Sequence, residues 1–256
     1  MLSKEKIIEE LKNLGITPPE IIFYESTDST NTRAKEWAKQ NPDNHSPIVF
    51  IANRQTAGRG RRGRSFVSEG GAGIYISILT YPKESGADAT ATTARAAVTL
   101  AKATESLSDC DIKIKWVNDL YLGGKKFAGI LTEGEMGEDG KIAYQVVGMG
   151  INVYKNAISD EISDIATSIE GETGIGVDRS KLAAAIINHH LNYSGDFYTE
   201  YKSRSFIIGK KVTVMKLNES YEAEVIDINP DFSLKIKTQN GIENLFTGEV
   251  SLKVNA

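Results

Sequence analysis

Cysteine and histidine are scarce in this chain of 256 residues, which contains one cysteine, Cys110, and three histidines. A single cysteine excludes an intrachain disulfide framework and fits a reducing cytoplasm. Only His189 and His190 are adjacent, so these side chains offer no zinc-type ligand cluster. We therefore expect a cytoplasmic protein without a zinc site.

Several other signals are missing. No apolar run approaches the ~20 residues that span a bilayer, and charged Lys4 and Glu5 lie where a signal peptide has its apolar core. The chain has no G-x-x-x-x-G-K-[ST] run, no complete dinucleotide-binding fingerprint and no G-x-S-x-G elbow. These absences argue against a membrane protein, a P-loop protein, a Rossmann site and a Ser-His-Asp hydrolase.

The composition is that of an ordinary globular protein, with 40% hydrophobic and 25% charged residues. Its length suits one large domain, or one large and one small domain. The formal net charge of −4 argues against bulk, nonspecific binding of nucleic acid.

Against this acidic background, four of the nine arginines lie within residues 58–64 (Gly-Arg-Gly-Arg-Arg-Gly-Arg), and Arg54 precedes them. Clustered cations repel one another unless an anion joins them, and guanidinium groups fit carboxylate and phosphate oxygens. The interleaved glycines allow the backbone to approach a ligand closely. The segment is either a solvated basic loop or a loop that closes on an anion, and residues around 58–68 are then expected to be mobile in the free protein.

Hydrophobic periodicity outlines the secondary structure. Helices are predicted over residues 4–14, 33–39, 87–106, 162–169 and 180–201. Strands are predicted over residues 21–24, 47–53, 73–80, 111–116, 120–122, 125–131 and 142–147. This mixture of hairpins and helices favours an α+β fold, in which helices flank a mixed sheet.

The hydrophobic pattern of the sequence changes after Phe206. There, short stretches of alternating apolar and polar residues are separated by turn residues such as Asn240-Gly241. Such a pattern is typical of a small all-β module, which we predict to be a barrel of about 50 residues. We therefore place a large α+β domain at residues 1–205 and a small β-barrel domain at residues 206–256.

Small polar residues at 29–31, Ser-Thr-Asn, precede a predicted helix. They fit a helix cap, whose side-chain oxygens accept hydrogen bonds from the first turn. The same groups also suit a polar, uncharged part of a ligand, and Gln55 would add a donor and an acceptor there.

Three further segments have both a plain and a functional interpretation. Residues 115–119 (Lys-Trp-Val-Asn-Asp) fit a core tryptophan followed by a turn, and the paired lysines at 125–126 fit a solvated strand edge. However, Ala128-Gly129 permits close backbone approach, so a lysine beside it could reach an anion. The Gly-Met-Gly-Ile-Asn run at 148–152 is a weak signal alone. Together these segments favour a phosphate-handling site made of arginines and a lysine.

The order of the motifs is far more specific than any one of them. Ser-Thr-Asn at 29–31, Gln-x-x-Gly-Arg-Gly-Arg at 55–61, Lys-Trp-x-Asn-Asp at 115–119, Lys-x-Ala-Gly-Ile-Leu at 126–131 and Gly-x-Gly-x-Asn at 148–152 resemble the catalytic domain of biotin protein ligases. Residues 248–252 (Gly-Glu-Val-Ser-Leu) resemble that family's small C-terminal β domain, so the resemblance runs from about residue 22 to residue 253.

This resemblance implies a two-step reaction. Biotin and ATP, the latter with Mg²⁺, condense to biotinyl-5′-adenylate and pyrophosphate. A lysine of a biotin carboxyl carrier domain in a biotin-dependent carboxylase then attacks the adenylate and releases AMP. Biotin and ATP are substrates here, and the resemblance implies no tightly bound cofactor, no membrane and no nucleic-acid partner.

The resemblance also implies roles for individual residues. Biotin would be bound by Ser29, Thr30, Asn31, Gln55, Gly58, Arg59, Gly60, Arg61, Lys126, Gly148 and Gly150. ATP and the adenylate would be bound by Arg61, Arg62, Arg64, Lys115, Asn118, Lys126 and Asn152. Lys126, Arg61 and Asp119 would be catalytic. Lys126 would bridge the carboxylate and the α-phosphate, and Asp119 is either a magnesium-linked carboxylate or the base that prepares the acceptor lysine.

The chain departs from the family pattern at three positions. Val117 replaces a common proline, Phe66 replaces a common tryptophan, and Lys253 replaces an arginine, which puts a C-terminal contact to the ATP phosphates in doubt. No DNA-binding segment precedes the catalytic motifs, so we expect a monofunctional enzyme. The expected assembly is a monomer or a homodimer.

Two rival functions remain. A lipoate ligase or an octanoyl transferase would share the fold, but the Arg/Gly loop paired with Ser-Thr-Asn favours biotin. An RNA-binding module would need aromatic residues among the basic ones, and none lies between Arg54 and Arg64.

Overall fold

The computed structural model describes residues 1–63, 66, 70–82, 89–138, 140–216, 219–246 and 251–254, without the side chains of Arg62 and of residues 251–254. Within these residues the fold is α+β, as predicted. A seven-stranded mixed sheet carries helices on its faces, and a five-stranded antiparallel sheet follows it in the chain.

The large sheet has the strand order β1-β2-β3-β7-β6-β5-β4, and only β1 and β2 pair in parallel. Its strands are β1 (Glu20–Tyr24), β2 (Ile48–Ala52), β3 (Gly73–Thr80), β4 (Lys113–Lys115), β5 (Asp119–Leu122), β6 (Lys125–Met136) and β7 (Ile142–Asn152). The helices are α1 (Lys4–Asn13), α2 (Thr30–Gln40), α3 (Ala89–Glu105), α4 (Ile169–Thr173), α5 (Arg179–Asn192) and α6 (Phe197–Arg204). Among the described residues, none of these helices is long and apolar enough to cross a bilayer.

The sheet is buried on both faces because its side chains alternate between two apolar layers. On β2, Ile48 and Phe50 face the layer under α2, while Val49 and Ile51 face the layer under α3 and α5. The period of two in strand side chains produces this division. Helix α3 presents mainly alanine and threonine to the core, so it can lie close to the sheet and to α5.

Two predicted helices are wrong in their bounds. Residues 163–168 do not form a helix: Ser168 caps α4 by accepting a hydrogen bond from Gly171 N, and the residues before it pair with the start of β6. The predicted helix over 180–201 is two helices, because Asp196 accepts a hydrogen bond from Thr199 N and caps the start of α6.

The five-stranded sheet has the order β11-β10-β9-β8-β12. Its strands are β8 (Lys211–Met215), β9 (Ser220–Ile228), β10 (Leu234–Thr238), β11 (Gly241–Leu245) and β12 (Ser251–Val254). Closure of this sheet into a barrel stays a prediction, as does a domain boundary at residue 205.

Aromatic residues connect this second sheet to the first part of the chain. The Trp116 Nε1–H donates to the Phe232 carbonyl at 2.8 Å, and the Tyr201 ring packs edge-on against the Phe232 ring. The Tyr201 hydroxyl in turn donates to the Val117 carbonyl at 3.1 Å. The segment that precedes Asn118 is therefore held from the side of the second sheet. The Trp116–Val117 peptide bond is cis.

Candidate active site

A cavity of about 140 Å³ lies where the N-terminus of α2 meets strands β5, β6 and β7. It is lined by Ser29, Thr30, Asn31, Gln55, Arg59, Gly60, Arg61, Phe66, Asn118, Asp119, Lys126, Gly129, Ile130, Leu131, Gly148, Met149 and Gly150. Every residue predicted to bind biotin lines this cavity except Gly58. All five motifs found in sequence thus contribute to one place, and the last of them, at 148–152, contributes both of its glycines.

Uncharged hydroxyl and amide groups form one part of the cavity wall. Ser29 is the N-cap residue of α2, but its side chain makes no capping hydrogen bond, so the plain interpretation as a cap is wrong for its hydroxyl. Thr30 N donates to Gln55 Oε1 at 2.8 Å, and Thr30 Oγ1 lies 3.1 Å from the same oxygen. Gln55 is thereby fixed to the first turn of α2, and hydroxyl and amide groups from two segments face one space.

A buried serine lies beneath this polar end. Ser77 on β3 is fully buried, and its Oγ lies 2.7 Å from Thr30 Oγ1 and 2.6 Å from Asn31 Oδ1. Ser77 is also paired across the sheet with Gly148 of β7. The strand register therefore places Ser77 under the Thr30 and Asn31 side chains.

Glu133 on β6 holds the same end from the side. It accepts hydrogen bonds from Asn31 Nδ2 at 2.9 Å and from Lys35 Nζ at 2.6 Å, and Arg59 Nη1 lies 3.8 Å from its Oε1. Burial alone would raise the pKa of Glu133, but the hydrogen bonds from Lys35 and Asn31 and the charges of Lys35 and Arg59 lower this pKa below its usual value. Glu133 is therefore a carboxylate at neutral pH.

Two glycines make room in the cavity wall. A Cβ at Gly148 would lie 2.1 Å from Asn31 Oδ1, and a Cβ at Gly150 would lie 2.8 Å from the Phe66 ring. Any side chain at either position would have to displace these groups. Close approach of Asn31 and Phe66 to the β7 backbone thus explains both glycines of the Gly-x-Gly motif.

The opposite end of the cavity is cationic. Lys126 Nζ contacts Asp119 Oδ1 at 2.5 Å, and Arg61 Nη1 donates to Asn118 Oδ1 at 2.9 Å. Asn118 Nδ2 also donates to Asp119 Oδ1 at 3.0 Å, which joins the two cations through one Asn-Asp pair. Lys126 and Arg61 are thus both anchored at one end of a partly enclosed space, where charged groups interact more strongly than in bulk water.

The backbone of Lys126 is held from a second side. Its N–H donates to the Ile165 carbonyl at 3.1 Å, and its carbonyl accepts from Thr167 N at 2.9 Å. Ala166, in the segment wrongly predicted as helical, thus forms an isolated parallel bridge with Lys126 of β6.

Not all predicted ligands reach the cavity. Asn152 is buried and donates from Nδ2 to the Thr167 carbonyl at 3.1 Å, and Lys115 on β4 does not line the cavity. Gly58 accepts a backbone hydrogen bond from Phe66 N at 2.9 Å. Arg64, the side chains of Arg62 and Lys253, and residues 248–250 lie outside the described part of the chain. So does much of the predicted mobile loop, of which residues 61–63 form one 3₁₀ turn.

Sequence reasoning missed Ser77 and Glu133. The only signal for Ser77 was a small hydroxyl residue within the apolar strand β3. Glu133 stands in a stretch of alternating polar residues with no distinguishing feature, because its role depends on Asn31 and Lys35, about one hundred residues away.

A magnesium site held by protein ligands alone is not found in the described ranges, where no three His, Cys, Asp or Glu side chains come together. The carboxylate of Asp119 is engaged by the Lys126 ammonium group. This donor set does not fit an all-protein Mg²⁺ cage, which would require several oxygen ligands.

The protein family is identified by similarity to known proteins. A family model of the biotin/lipoate A/B protein ligases matches residues 23–152, which is the part of the chain that forms the large sheet and the cavity. The chain belongs to the biotin/lipoate A/B protein ligase family.

Within this family, the chain is similar to proteins named as biotin ligases. The "Bifunctional ligase/repressor BirA" of Bacillus spizizenii is 31% identical over 91% of this chain and 74% of its own length. The "Biotin--[acetyl-CoA-carboxylase] ligase" of Mycobacterium tuberculosis is 25% identical over 83% of this chain and 81% of its own.

Among solved structures, the biotin protein ligase from Aquifex aeolicus in complex with biotin and ATP has a TM-score of 0.76 and 29% identity. That alignment covers 92% of this chain and 99% of the other. The resemblance to biotin protein ligases that the ordered motifs predicted is confirmed.

Proposed function

We propose that this protein is an ATP-dependent biotin protein ligase, which joins biotin to a lysine of a biotin carboxyl carrier domain through biotinyl-5′-adenylate. The observation that carries the proposal is the polarity of the cavity, which has uncharged hydroxyl and amide groups at one end and Arg61 and Lys126 at the other. Biotin has the same division, with a neutral ureido ring and a carboxylate. Relatives of similar length carry the same activity in their names.

The cationic end fits the chemistry of the first step. A carboxylate oxygen of biotin attacks the α-phosphorus of ATP, a new P–O bond forms, and pyrophosphate leaves. Two anions must approach each other, so the barrier falls when fixed cations lie beside both of them. We assign this work to Lys126 and Arg61. Mg²⁺ would arrive bound to the ATP phosphates as part of the substrate.

In the second step the amine of the carrier lysine attacks the acyl carbon of the adenylate. The C–N bond forms, the bond to the phosphate oxygen breaks, AMP leaves with the electron pair, and the amine nitrogen releases one proton. Lys126 would again face the phosphate oxygens, whose negative charge grows as AMP departs.

Asp119 fits a positioning role in this scheme. Its contact with Lys126 fixes the ammonium group before any substrate binds, and its hydrogen bond from Asn118 links it to Arg61. This contact supports positioning over direct magnesium binding. A role as base for the acceptor lysine is left as the second alternative.

The polar end favours biotin over lipoate or an octanoyl group. The Thr30 hydroxyl and the Gln55 amide oxygen belong to the cavity wall, and an apolar dithiolane or alkyl chain would bring no hydrogen-bond donor to these oxygens. Covering such acceptor oxygens with a ligand that supplies no donor costs about 1–3 kcal/mol each, so the wall discriminates against apolar ligands.

The finer assignments are proposals of the same kind. We propose that the carrier belongs to a biotin-dependent carboxylase, that the protein works in the cytoplasm, and that the C-terminal strands close into a barrel. Asn152 and Lys115 are proposed to support the nucleotide side from behind the cavity wall. Monomer and homodimer are both compatible with these proposals.

Transfer of labelled biotin to a purified carrier domain in the presence of ATP tests the function. The wild-type protein should label the carrier with biotin and not with labelled lipoate, and Lys126→Ala should lower the rate at least ~100-fold, because a charge fixed beside the reacting anions is lost. Lys125→Ala is the matched control, since the Lys125 ammonium group binds the Ser163 carbonyl at the surface. Equal rates for the two variants, or preferential transfer of lipoate, would contradict the proposal.

A further inference from the structure

The orientation of the Asn31 side-chain amide is fixed by two groups that can only accept hydrogen bonds. Asn31 Nδ2 lies 2.9 Å from the carboxylate of Glu133 and 3.2 Å from the Leu131 carbonyl. Neither group carries a hydrogen, so the NH₂ of Asn31 must face both of them. Its Oδ1 then points to the opposite side, towards Ser77.

This orientation determines where the nearby hydroxyl hydrogens lie. Ser77 has one hydrogen, and Asn31 Oδ1 at 2.6 Å is an acceptor only, so the Ser77 hydrogen is used there. The contact of 2.7 Å between Ser77 Oγ and Thr30 Oγ1 therefore needs the hydrogen of Thr30. As a result Thr30 donates to Ser77 and has no hydrogen left for any other group.

Thr30 Oγ1 consequently faces the cavity as an acceptor. Gln55 Oε1 accepts from Thr30 N at 2.8 Å and lies 3.1 Å from Thr30 Oγ1. Because the Thr30 hydrogen is used in the shorter contact with Ser77, we infer that none is left for this longer one. Two acceptor oxygens side by side at a cavity wall attract a ligand group that brings an N–H or O–H donor.

We propose that Glu133 is a positioning residue that sets the hydrogen-bond polarity of the Thr30 hydroxyl, and through it selects ligands that present an N–H donor at this wall. The inference rests on the proposed function, in which that ligand group is the ureido ring of biotin. Glu133 does not line the cavity, so it acts through Asn31 and Ser77. This adds a specificity determinant that the cavity lining alone does not reveal.

Lys35 makes the effect of one substitution predictable. In Glu133→Gln the side chain keeps its size, but its new NH₂ cannot face the Lys35 ammonium group, which is 2.6 Å from Oε1 and only donates. The oxygen of the introduced amide therefore turns to Lys35, and its NH₂ faces Asn31. Two NH₂ groups then oppose each other, Asn31 turns over, and the hydrogen of Thr30 is no longer fixed on Ser77.

Calorimetric binding of biotin and of an analogue with a methylated ureido nitrogen tests this polarity. The wild-type protein should prefer biotin, whereas Glu133→Gln should bind biotin about tenfold more weakly and lose most of that preference. Glu133→Gln/Lys35→Met should regain both, because the amide introduced at position 133 is then free to turn its oxygen to Asn31. Glu135→Gln is the matched control, since Glu135 lies further along β6 and contacts Lys39 and Tyr144 instead.

The inference would be overturned if Glu133→Gln bound biotin as tightly as the wild-type protein does and kept the wild-type preference for biotin over the methylated analogue. An affinity loss with unchanged preference and no recovery in the double variant would also overturn it, because a merely structural role predicts that pattern.

Neutron diffraction from the deuterated wild-type protein reads the same polarity without ligand or substitution. Deuterium of Thr30 on the Ser77 side supports the inference, and deuterium on the Gln55 side refutes it. This readout separates the two proposals: a wild-type protein that binds no biotin would end the proposed function, while the hydroxyl orientation would still be measured.

Discussion

At the scale of single residues, the cavity depends on side chains that are absent as much as on those present. Gly148 lies in a row across three strands, paired with Ser77 on one side and with Leu131 on the other. The Ser77 hydroxyl and the Leu131 carbonyl both contact the Asn31 side chain, which occupies the space that a Cβ at Gly148 would need. The polar wall therefore exists only because β7 carries no side chain at this point.

Gly148→Ala should weaken biotin binding at least about tenfold and lower the free energy of unfolding by roughly 1–3 kcal/mol, because the new methyl group overlaps Asn31. Calorimetry and chemical denaturation measure the two effects. Gly176→Ala is the control, since a Cβ there meets its nearest neighbour at an ordinary 3.5 Å. Unchanged biotin affinity in Gly148→Ala would contradict the described packing.

At the scale of elements, hydrophobic periodicity predicted the helices and strands whose alternation of apolar and polar residues is visible within their own sequence. The strand at residues 73–80 has the predicted bounds, and the helix at residues 4–14 differs from α1 by one residue. The helix predicted over 162–169 failed because its residues find hydrogen-bond partners on β6, which no local pattern reveals. The motif residues of the cavity could be recognised because each motif is a local pattern in the sequence. The roles of Ser77 and Glu133 could not, because they depend on strand register and on distant partners.

The connection between the second sheet and the segment before Asn118 is also testable at this scale. Trp116→Phe should lower the free energy of unfolding by about 1–3 kcal/mol, because the buried Phe232 carbonyl loses its donor. Trp37→Phe, which changes a half-buried tryptophan on α2, is the comparison variant and should lower the free energy of unfolding by less. Equal denaturation midpoints for the two variants would argue against the Trp116 hydrogen bond as a link between the sheets.

At the scale of the whole molecule, buried ionisable groups make folding depend on pH. Burial lowers the pKa of His190 to about 4, and its Nδ1 has no hydrogen-bond partner among the described residues. The unfolded chain therefore binds a proton on this histidine between about pH 6.5 and pH 4 that the folded protein does not bind. Stability contributed by neutral His190 is thus full above its unfolded pKa and is lost as the pH falls through this window.

His190→Gln should reduce the loss of stability between pH 7 and pH 4 by about 1–3 kcal/mol relative to wild type. Urea denaturation at a series of pH values measures the slope. His45→Gln, at an exposed histidine, is the comparison variant. A wild-type slope in His190→Gln would mean that this histidine titrates alike in both states.

The three-strand row through Gly148 has a consequence for how such a chain can evolve. Successive residues of a strand point to opposite faces of the sheet. Loss or gain of a single codon between Ile142 and Gly148 would bring Val147 or Met149 into the row and fill the space beneath Asn31. Within the β6–β7 hairpin we therefore expect length changes to be tolerated at the turn, where Gly140 has a positive φ, and not within β7 before Gly148.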